Sequence, residues 1–319
     1  MKLEKILHYV EHSFEGCPSF VLLMSDGKEY ISNYDLFVEN TSKNKRKIVD
    51  DLVRVGWLSY GTKDRYYEVL DEHLYNLFDS PSCEMSDITN TSYMFHGCES
   101  ITEFDSDMSN TTHAGAMFLG CCSLIRFNGD MSSVINADRM FQDCESIQKL
   151  NADMPNVESA HNMFRSCESL VEFKGNMPRL RDAICMFCEC RSLTGFDSDI
   201  SSVVKAENMF ELCQSLQKFN GDISSVKEAG LMFACCKSLQ KFDGNTSNIK
   251  RAEYMFYQCE SLREFCGYIS RGSHVEGMFY GCESFEHFNS IIAYGIDIDS
   301  MFEGSNPPIK QEGGFEFSC

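Results

Sequence analysis

The first residues of the chain contain a pattern that could bind zinc. His8, Glu11 and His12 are spaced as in one class of metalloprotease, where the histidines bind the metal and the glutamate is the general base. The surrounding apolar residues predict a helix over 2–14 that turns both histidines towards solvent. No compelling third ligand follows in a domain that could enclose a substrate. We therefore expect neither a zinc site nor a catalytic residue here.

A second candidate for metal chemistry is the group Cys185, Cys188 and Cys190. Cys190 belongs to a repeated position that is expected in the core, whereas Cys185 and Cys188 fall at variable positions expected on the surface. A zinc site would need a fourth ligand. The start of the chain lacks the apolar stretch of a signal peptide, so reduced thiols are the expected state. We predict no metal site.

Acidic or amide side chains recur at one position and form a third candidate. They are Asp107, Asp130, Asp153, Asn176, Asp199, Asp222 and Asn245. The favoured interpretation is a turn residue whose side chain accepts hydrogen bonds from local backbone amides. Weak cation sites, or an acidic strip that binds a basic partner, are the alternatives. No Ser-His-Asp grouping or phosphate-binding loop appears, and we predict no cofactor.

Most of these residues belong to a repeat of 23 residues without insertion or deletion. The dipeptide Met-Phe begins at Met94, Met117, Met140, Met163, Met186, Met209, Met232, Met255, Met278 and Met301. A cysteine follows four residues after each of the first nine methionines, then a serine, an apolar residue and a phenylalanine, which Leu150 replaces once. One unit buries too little apolar surface to offset the entropy of ordering its backbone. The repeat therefore predicts stacked coils, a solenoid.

The motif Met-Phe-x-x-Cys-x-Ser-Leu-x-x-Phe resembles the BspA-like leucine-rich repeats, the 23-residue Treponema-type class, over roughly residues 84–304. This resemblance implies an α/β repeat solenoid of about ten coils, without catalytic activity, that binds proteins and is often an adhesin on the cell surface. The sequence departs from such surface proteins because it has no signal peptide, lipid-attachment cysteine near its start or membrane anchor. The expected divisions are a domain over 1–80, the solenoid over 81–304 and a tail over 305–319.

Residues 1–80 have a different pattern. The predicted elements are a helix over 2–14, a strand over Phe20–Met24 with a turn over 25–28, a short helix over 33–38, a longer helix over 43–55 and a hairpin over 57–70. This order resembles a winged-helix domain, a small α+β fold. Its candidate recognition helix, which would bind nucleic acid or dock a protein, begins with Lys43, Lys45, Arg46 and Lys47. The alternative is a cap that shields the first coil.

The strand of each coil is predicted to end near the second phenylalanine, so the residues on either side of it should face solvent. The candidate partner-binding residues are Glu103, Asp105, Arg126, Asn128, Lys149, Asn151, Glu172, Lys174, Asp197, Lys218, Asn220, Lys241, Asp243 and Glu264. Their mixed charges favour a specific protein partner over charge mimicry. After the last coil, residues 305–319 are predicted to cap the array or to pair with a strand edge.

Composition excludes several functions. The 319 residues carry a net charge of −20, from 48 acidic and 28 basic residues, which disfavours a broad surface for nucleic acid or anionic membrane. No apolar run approaches the ~20 residues of a membrane span. Residues 1–80 hold 14 acidic and 10 basic residues, so the repeats carry most of the net charge.

Together these features predict a cytoplasmic, non-catalytic protein that binds a protein partner through its repeats and sequesters or inhibits it. Two alternatives stay open. One is an adhesin or receptor-binding protein on a cell or virus surface. The other is a nucleic-acid-linked regulator that acts through the winged helix or by acidic mimicry of DNA.

Overall fold

The computed structural model describes residues 1–10, 18–33, 36–40, 84–305 and 317–318. The first of these residues form an antiparallel sheet whose strands pair in chain order. The strands are β1 (Leu3–Val10), β2 (Ser19–Met24), β3 (Glu29–Asn33) and β4 (Leu36–Glu39). The strand predicted over Phe20–Met24 is confirmed, as is the turn after it, which Gly27 N closes on Met24 O at 2.9 Å.

The predictions of a helix over 2–14 and of a short helix over 33–38 are both wrong. Residues 3–10 form β1, residue 33 is the last of β3, and residues 36–38 belong to β4. The pairing of β1 with β2 shifts register between Leu3 and Lys5 and again between Ile6 and His8. Such irregularities break the alternation of faces, so the apolar residues of a strand take on helix-like spacing. The described residues therefore do not follow the winged-helix order, and the elements predicted over 43–55 and 57–70 lie outside them.

The N-terminal sheet covers the first coil of the solenoid. The Met1 amino group donates to Ser100 O at 3.0 Å, and Thr102 N donates to Met1 O at 3.1 Å. The buried Ser32 hydroxyl donates to Met94 O at 2.5 Å. Apolar side chains of β1 and β2 belong to the same buried cluster as the first coil. The sheet thus shields apolar surface that the end of a solenoid would otherwise expose.

Nine coils within the described residues each contribute a short parallel strand. The strands are β5 (Glu103–Phe104), β6 (Arg126–Phe127), β7 (Lys149–Asn151), β8 (Glu172–Lys174), β9 (Gly195–Phe196), β10 (Lys218–Phe219), β11 (Lys241–Phe242), β12 (Glu264–Phe265) and β14 (His287–Phe288). Paired strands match residues 23 positions apart, for example Phe104 with Phe127 and Phe242 with Phe265. The predicted leucine-rich-repeat solenoid is confirmed, and its strands lie where the repeat places them.

A second ladder runs along the solenoid at the Met-Phe segment and just before it. Single parallel bridges join Asn90, His113, Asn136, Ser159, Asp182, Lys205, Glu228, Arg251 and His274 in succession. The phenylalanine of each of the first nine Met-Phe pairs donates its N–H to the methionine carbonyl of the next coil, as Phe118 does to Met140 at 2.8 Å. Both ladders keep the 23-residue register, so every equivalent side chain stacks on its counterpart.

Two columns of phenylalanine rings fill the core. In the column that begins with Phe95, consecutive rings are stacked, with centroids 5.3 Å apart between Phe95 and Phe118 and 5.5 Å between Phe118 and Phe141. Rings of the strand column meet them edge to face, as Phe127 meets Phe141 at 4.9 Å and 80°. These are the two arrangements that aromatic rings prefer. The repeat therefore builds a herringbone of rings along the solenoid axis.

The cysteine column makes a hydrogen bond that a purely apolar residue could not make. Each buried thiol donates to a phenylalanine carbonyl of the preceding coil at 3.0–3.2 Å, in eight successive coils from Cys121 to Cys282. Burial raises the pKa of Cys282 to about 12 and that of Cys98, in the first coil, to about 11. These thiols are therefore protonated at neutral pH, and they hold neighbouring coils together.

The C-terminal coils end in a second small sheet. Its parallel strands are β13 (Tyr268–Ile269), β15 (Ile291–Ala293) and β16 (Phe317–Ser318), and the short helix α1 (Ile298–Met301) follows β15. Ile292 pairs with Phe317, so the predicted pairing of the tail with a strand edge is confirmed. The rest of the tail after Ser305 lies outside the described residues, apart from Ser318.

The cysteine column yields a stability prediction from two adjacent residues. Cys121→Ala removes a buried thiol that donates at 3.0 Å to Phe95 O, and we expect a loss of about 1–2 kcal/mol in the free energy of unfolding. Cys122→Ala removes a partly exposed thiol and should cost less than about 0.5 kcal/mol. Urea denaturation under reducing conditions measures both. Equal losses in the two variants would contradict a structural role for the column.

Candidate protein-binding face

The predicted partner-binding residues all lie on one exposed side of the strand ladder, here called the strand face. It consists of the residues immediately before and after the second phenylalanine of each coil, from Glu103 and Asp105 to Glu264. The phenylalanine itself points into the core, and its two neighbours point outwards because side chains alternate along a strand. Backbone pairing of β5 with β6, β7 with β8, β9 with β10, and β11 with β12 and β14 therefore fixes the positions of these side chains.

Charged side chains at the N-terminal end of the strand face pair across neighbouring strands. Arg126 Nη2 lies 3.1 Å from Glu103 Oε1, and Lys2 pairs with the same carboxylate. The hydrogen bond from Lys2 and the charge of Arg126 lower the pKa of Glu103. Lys149 and Lys174 both contact Glu172, at 3.1 and 2.5 Å.

A third group of charges pairs near the C-terminal end. Lys241 Nζ lies 3.5 Å from Glu264 Oε2 and 3.9 Å from Asp243 Oδ2. The Cys266 thiol also donates to Glu264 at 3.3 Å, and this bond is the main cause of the lowered pKa of Glu264. The mixed signs predicted from the sequence thus occur as three local groups of ion pairs.

Between these groups lies the central patch, formed by Gly195 and Lys218 on β9 and β10 and by Asp197 and Asn220 directly after these strands. Among the residues that the structure describes, Lys218 makes no ion pair, although its side chain is exposed. Gly195, its neighbour in the parallel pairing, leaves open space, because an added Cβ would meet only Lys218 O, at 3.7 Å. The centre of the strand face therefore combines an unneutralised cation with a shallow gap.

The acidic column confirms the interpretation as a turn residue. Asp107, Asp130, Asp199, Asp222 and Asn245 each accept the backbone N–H two residues later, at 2.8–3.1 Å. This bond lowers the pKa of Asp107 and of Asp199.

Two coils cannot make this turn bond, because proline lacks an N–H and stands two residues after Asp153 and Asn176. There the side chain bonds the next coil instead. Asn176 N donates to Asp153 Oδ1 at 3.0 Å, and Asp199 N donates to Asn176 Oδ1 at 3.3 Å. The polar column therefore satisfies backbone amides whether or not the local bond is possible.

The cysteine group is arranged differently from the prediction. Cys190 donates to Phe164 O and belongs to the core column, as expected. Cys188 was placed on the surface by the sequence pattern, but it is buried, with 3% of its surface exposed. Other coils place Arg165 and Glu211 at this position, so the repeat alone gave no sign of burial. Within the described ranges, no group of three or more potential ligands could hold a metal ion.

Some predicted site residues cannot be placed. Lys43, Lys45, Arg46 and Lys47 lie outside the described residues, as do Glu11 and His12 of the zinc pattern. His8 lies on β1, not on a helix. In the part of the chain that the structure describes, no helix is long and apolar enough to cross a membrane.

The repeat pattern did not indicate that the second ladder also forms an exposed surface. A cleft of about 330 Å³ opens there, lined among others by His113, Asp138 and His161. Asp138 accepts from the Ser159 hydroxyl at 2.6 Å and from the backbone N–H of His161 at 2.9 Å. Because both donors belong to the next coil, these bonds join neighbouring coils. The available signal in the sequence was a variable position directly before the buried alanine column, which consists of Ala114, Ala137, Ala160, Ala183, Ala206, Ala229 and Ala252.

The turn bond predicts a pH-dependent effect of one carboxylate. A pKa lowered in the folded state stabilises the fold above the unfolded-state value and loses this effect as pH falls through the folded-state value. Asp199→Ala should therefore lower the urea midpoint at pH 7, and the difference from wild type should shrink below about pH 3.9. Asp197→Ala is the control, since it removes the same charge from an exposed strand-face position. Equal shifts in both variants at pH 7 would contradict the turn role.

Comparison with known proteins gives three solved structures that are leucine-rich-repeat proteins. The Treponema pallidum protein is 21% identical, with 54% of this chain and 70% of that chain covered and a TM-score of 0.29. A leucine-rich cell surface protein of Faecalibacterium prausnitzii is 15% identical, with 62% and 75% covered and a TM-score of 0.26. A Bacteroides ovatus protein is 13% identical, with 72% and 86% covered and a TM-score of 0.25.

No curated protein matches the chain. A family described as "Mycoplasma protein of unknown function, DUF285" matches residues 74–179, 181–294 and 245–307. These matches span the solenoid and more than half of the chain. The chain therefore belongs to the DUF285 family.

Proposed function

We propose that the protein is a non-catalytic binding protein that recognises another protein through its strand face, with the central patch as the main contact. The observation that carries this proposal is the unneutralised Lys218 beside the gap at Gly195, midway between groups of paired charges. A partner that presents a carboxylate or a backbone carbonyl would pair with this ammonium group in a charge-assisted hydrogen bond.

Rigidity supports the strand face as the recognition surface. Its residues belong to short strands that pair with the equivalent strands of neighbouring coils, as Gly195 does with Lys218 and Lys241 with Glu264. The phenylalanine between each pair of exposed residues is buried in the herringbone core. A surface that is already ordered loses little conformational entropy on binding, which leaves more of the contact energy for affinity.

The distribution of charges supports a contact centred on Lys218. Burying the ion pairs around Glu103 or Glu172 would remove their water without giving them better partners, so these groups suit the rim of an interface. Lys218 gains a partner when it is covered. Contacts near the geometric centre of an interface also tend to carry most of the binding energy.

The same geometry supports a binding role without catalysis. The residue types that first suggested chemistry make structural bonds: the acidic column satisfies turn amides, and the cysteine column donates to carbonyl groups. We further propose that the protein acts in a reducing compartment inside the cell, where it sequesters its partner. The thiol donors in eight coils support this setting, since each must stay reduced to donate.

Two glycines offer a matched steric test of the binding face. Gly195→Tyr places a ring on the central patch, and Gly230→Tyr places one beside the second ladder. An added Cβ at either position meets only a backbone carbonyl at 3.7 Å, so both variants should fold. Tagged chains are used to capture proteins from lysate of the source cells under reducing conditions, and bound proteins are quantified by mass spectrometry. We expect Gly195→Tyr to lower capture of a specific partner at least about tenfold.

A charge pair provides a second comparison in the same assay. Lys218→Glu should also lower capture, because it reverses the central charge. Lys205→Glu makes the same change on the second ladder and should leave capture within about twofold of wild type. The proposal is contradicted if the two control variants lose the partner while the strand-face variants retain it. It is also contradicted if no protein is retained by the wild-type chain.

A further inference from the structure

Cys185 and Cys188 lie at the two ends of one tight turn. Cys188 N donates to Cys185 O at 3.1 Å, and Cys185 has a left-handed backbone with φ of 54°. Such a turn brings its first and fourth Cα atoms within about 7 Å. Disulfide-bonded cysteines have Cα separations of about 4.4–6.8 Å. The backbone therefore holds these two residues near the separation that a disulfide needs.

Other coils show that side chains at these two positions touch. The rings of Tyr93 and His96 have centroids 6.0 Å apart, and those of Tyr254 and Tyr257 are 5.9 Å apart. In the coil that follows the cysteines, Asn208 Nδ2 donates to Glu211 Oε2 at 2.8 Å. Because the backbone repeats every 23 residues, the same contact is expected of the two thiols.

The two thiols differ in exposure and in their neighbours. Cys185 is half-buried, whereas Cys188 is buried and its thiol donates to Glu211 Oε2 at 3.7 Å. Interaction with the neighbouring Cys188 thiol lowers the pKa of Cys185 against the opposing effect of burial, and the nearby Arg165 guanidinium adds to this effect. Interaction with Cys185, followed by burial, raises the pKa of Cys188. A partly exposed thiol thus stands beside a buried one.

This pair contrasts with the core cysteines of the same solenoid. The core thiols donate to carbonyl groups and are fully enclosed, so no reagent reaches them in the folded protein. Among the described residues, this is the one coil with cysteines at both ends of this turn. The side chains of Met186 and Phe187, between the two cysteines, are buried in the core and fix the turn.

We propose that Cys185 and Cys188 form a redox-active dithiol that exchanges with low-molecular-weight disulfides and closes to an intramolecular disulfide. The Cys185 thiolate attacks one sulfur of the small disulfide, whose S–S bond breaks, and one thiolate leaves. Cys188 then loses its proton and attacks the Cys185 sulfur, which releases the second small thiolate. The protein gives up two electrons, and the two protein thiol protons end on the two released small thiols.

Peptide mapping of the full-length chain tests this proposal. The reduced protein is incubated with defined mixtures of glutathione and glutathione disulfide, quenched in acid, unfolded and alkylated. Trypsin cleavage after Arg181 and Arg191 releases a peptide over 182–191 with three cysteines. We expect this peptide to lose two hydrogens and to carry the alkyl group on Cys190 alone. This change should appear at glutathione ratios that leave Cys122 and Cys235 reduced.

Single substitutions distinguish the role of Cys185, which attacks the small disulfide, from that of Cys188, which displaces the second small thiol. Cys185→Ser should abolish both the disulfide and the mixed disulfide with glutathione. Cys188→Ser should instead accumulate a mixed disulfide on Cys185, because the thiol that displaces glutathione is missing. Cys235→Ser, which removes another partly exposed thiol, should leave the disulfide unchanged. Urea midpoints show that each variant is folded.

The wild-type chain alone is sufficient to overturn the proposal. It fails if the peptide over 182–191 stays fully alkylated at ratios that modify Cys122 or Cys235. It also fails if the disulfide joins Cys190 to either of its neighbours. Alkylation of the native reduced protein gives a second readout: Cys185 should react faster than Cys235, because the pKa of Cys185 is lowered and that of Cys235 is raised.

Discussion

Every feature of this molecule depends on the constant 23-residue register between coils. A single coil has apolar side chains on both of its faces and cannot bury them by itself. Stacked coils bury these faces only if equivalent residues lie next to each other. The N–H of Phe118 then donates to Met140 O, and the thiol of Cys121 donates to Phe95 O. The herringbone of rings depends on the same register. Core packing and hydrogen bonding therefore impose one repeat length on the whole array.

The same constraint decides where recognition can occur. The methionine, phenylalanine, cysteine and alanine columns are buried in the core, and the acidic column accepts hydrogen bonds from turn amides. Variation remains at exposed positions on the strand face and along the second ladder. On the strand face, charges on neighbouring strands largely neutralise each other, and the central patch stands out because its cation lacks such a partner among the described residues. We therefore expect binding at positions of the strand face that differ from their equivalents in neighbouring coils, as the central patch does.

The repeat could be predicted closely because periodic burial leaves a periodic sequence. The strands at Phe104 and its equivalents, the turn role of Asp199 and the core role of Cys190 all follow from residue type at a fixed position. The burial of Cys188 could not be predicted, since the equivalent positions vary from Arg165 and Glu211 to Ala234. The lack of an ion pair at Lys218 among the described residues could not be predicted either, because it depends on which side chains meet across strands.

The N-terminal region shows why single-sequence patterns fail outside the repeat. The residues that suggested a helix over 2–14 belong to a strand with two register shifts, which remove its regular alternation. Contacts between this sheet and the first coil, such as Ser32 with Met94, join residues far apart in sequence. Local spacing carries no information about such contacts.

The central claim, that the register between coils holds the structure together, is tested most directly by two insertions. One duplicates a whole coil, residues 186–208, and the other inserts a single alanine between Phe210 and Glu211. The duplication preserves every column, whereas the single alanine displaces Cys213 from its carbonyl partner, Phe187 O, 3.2 Å away in the native chain. Urea denaturation followed by circular dichroism should show a duplicated protein at least as stable as wild type and an alanine insertion that no longer unfolds cooperatively. Equal tolerance of the two insertions would contradict the account.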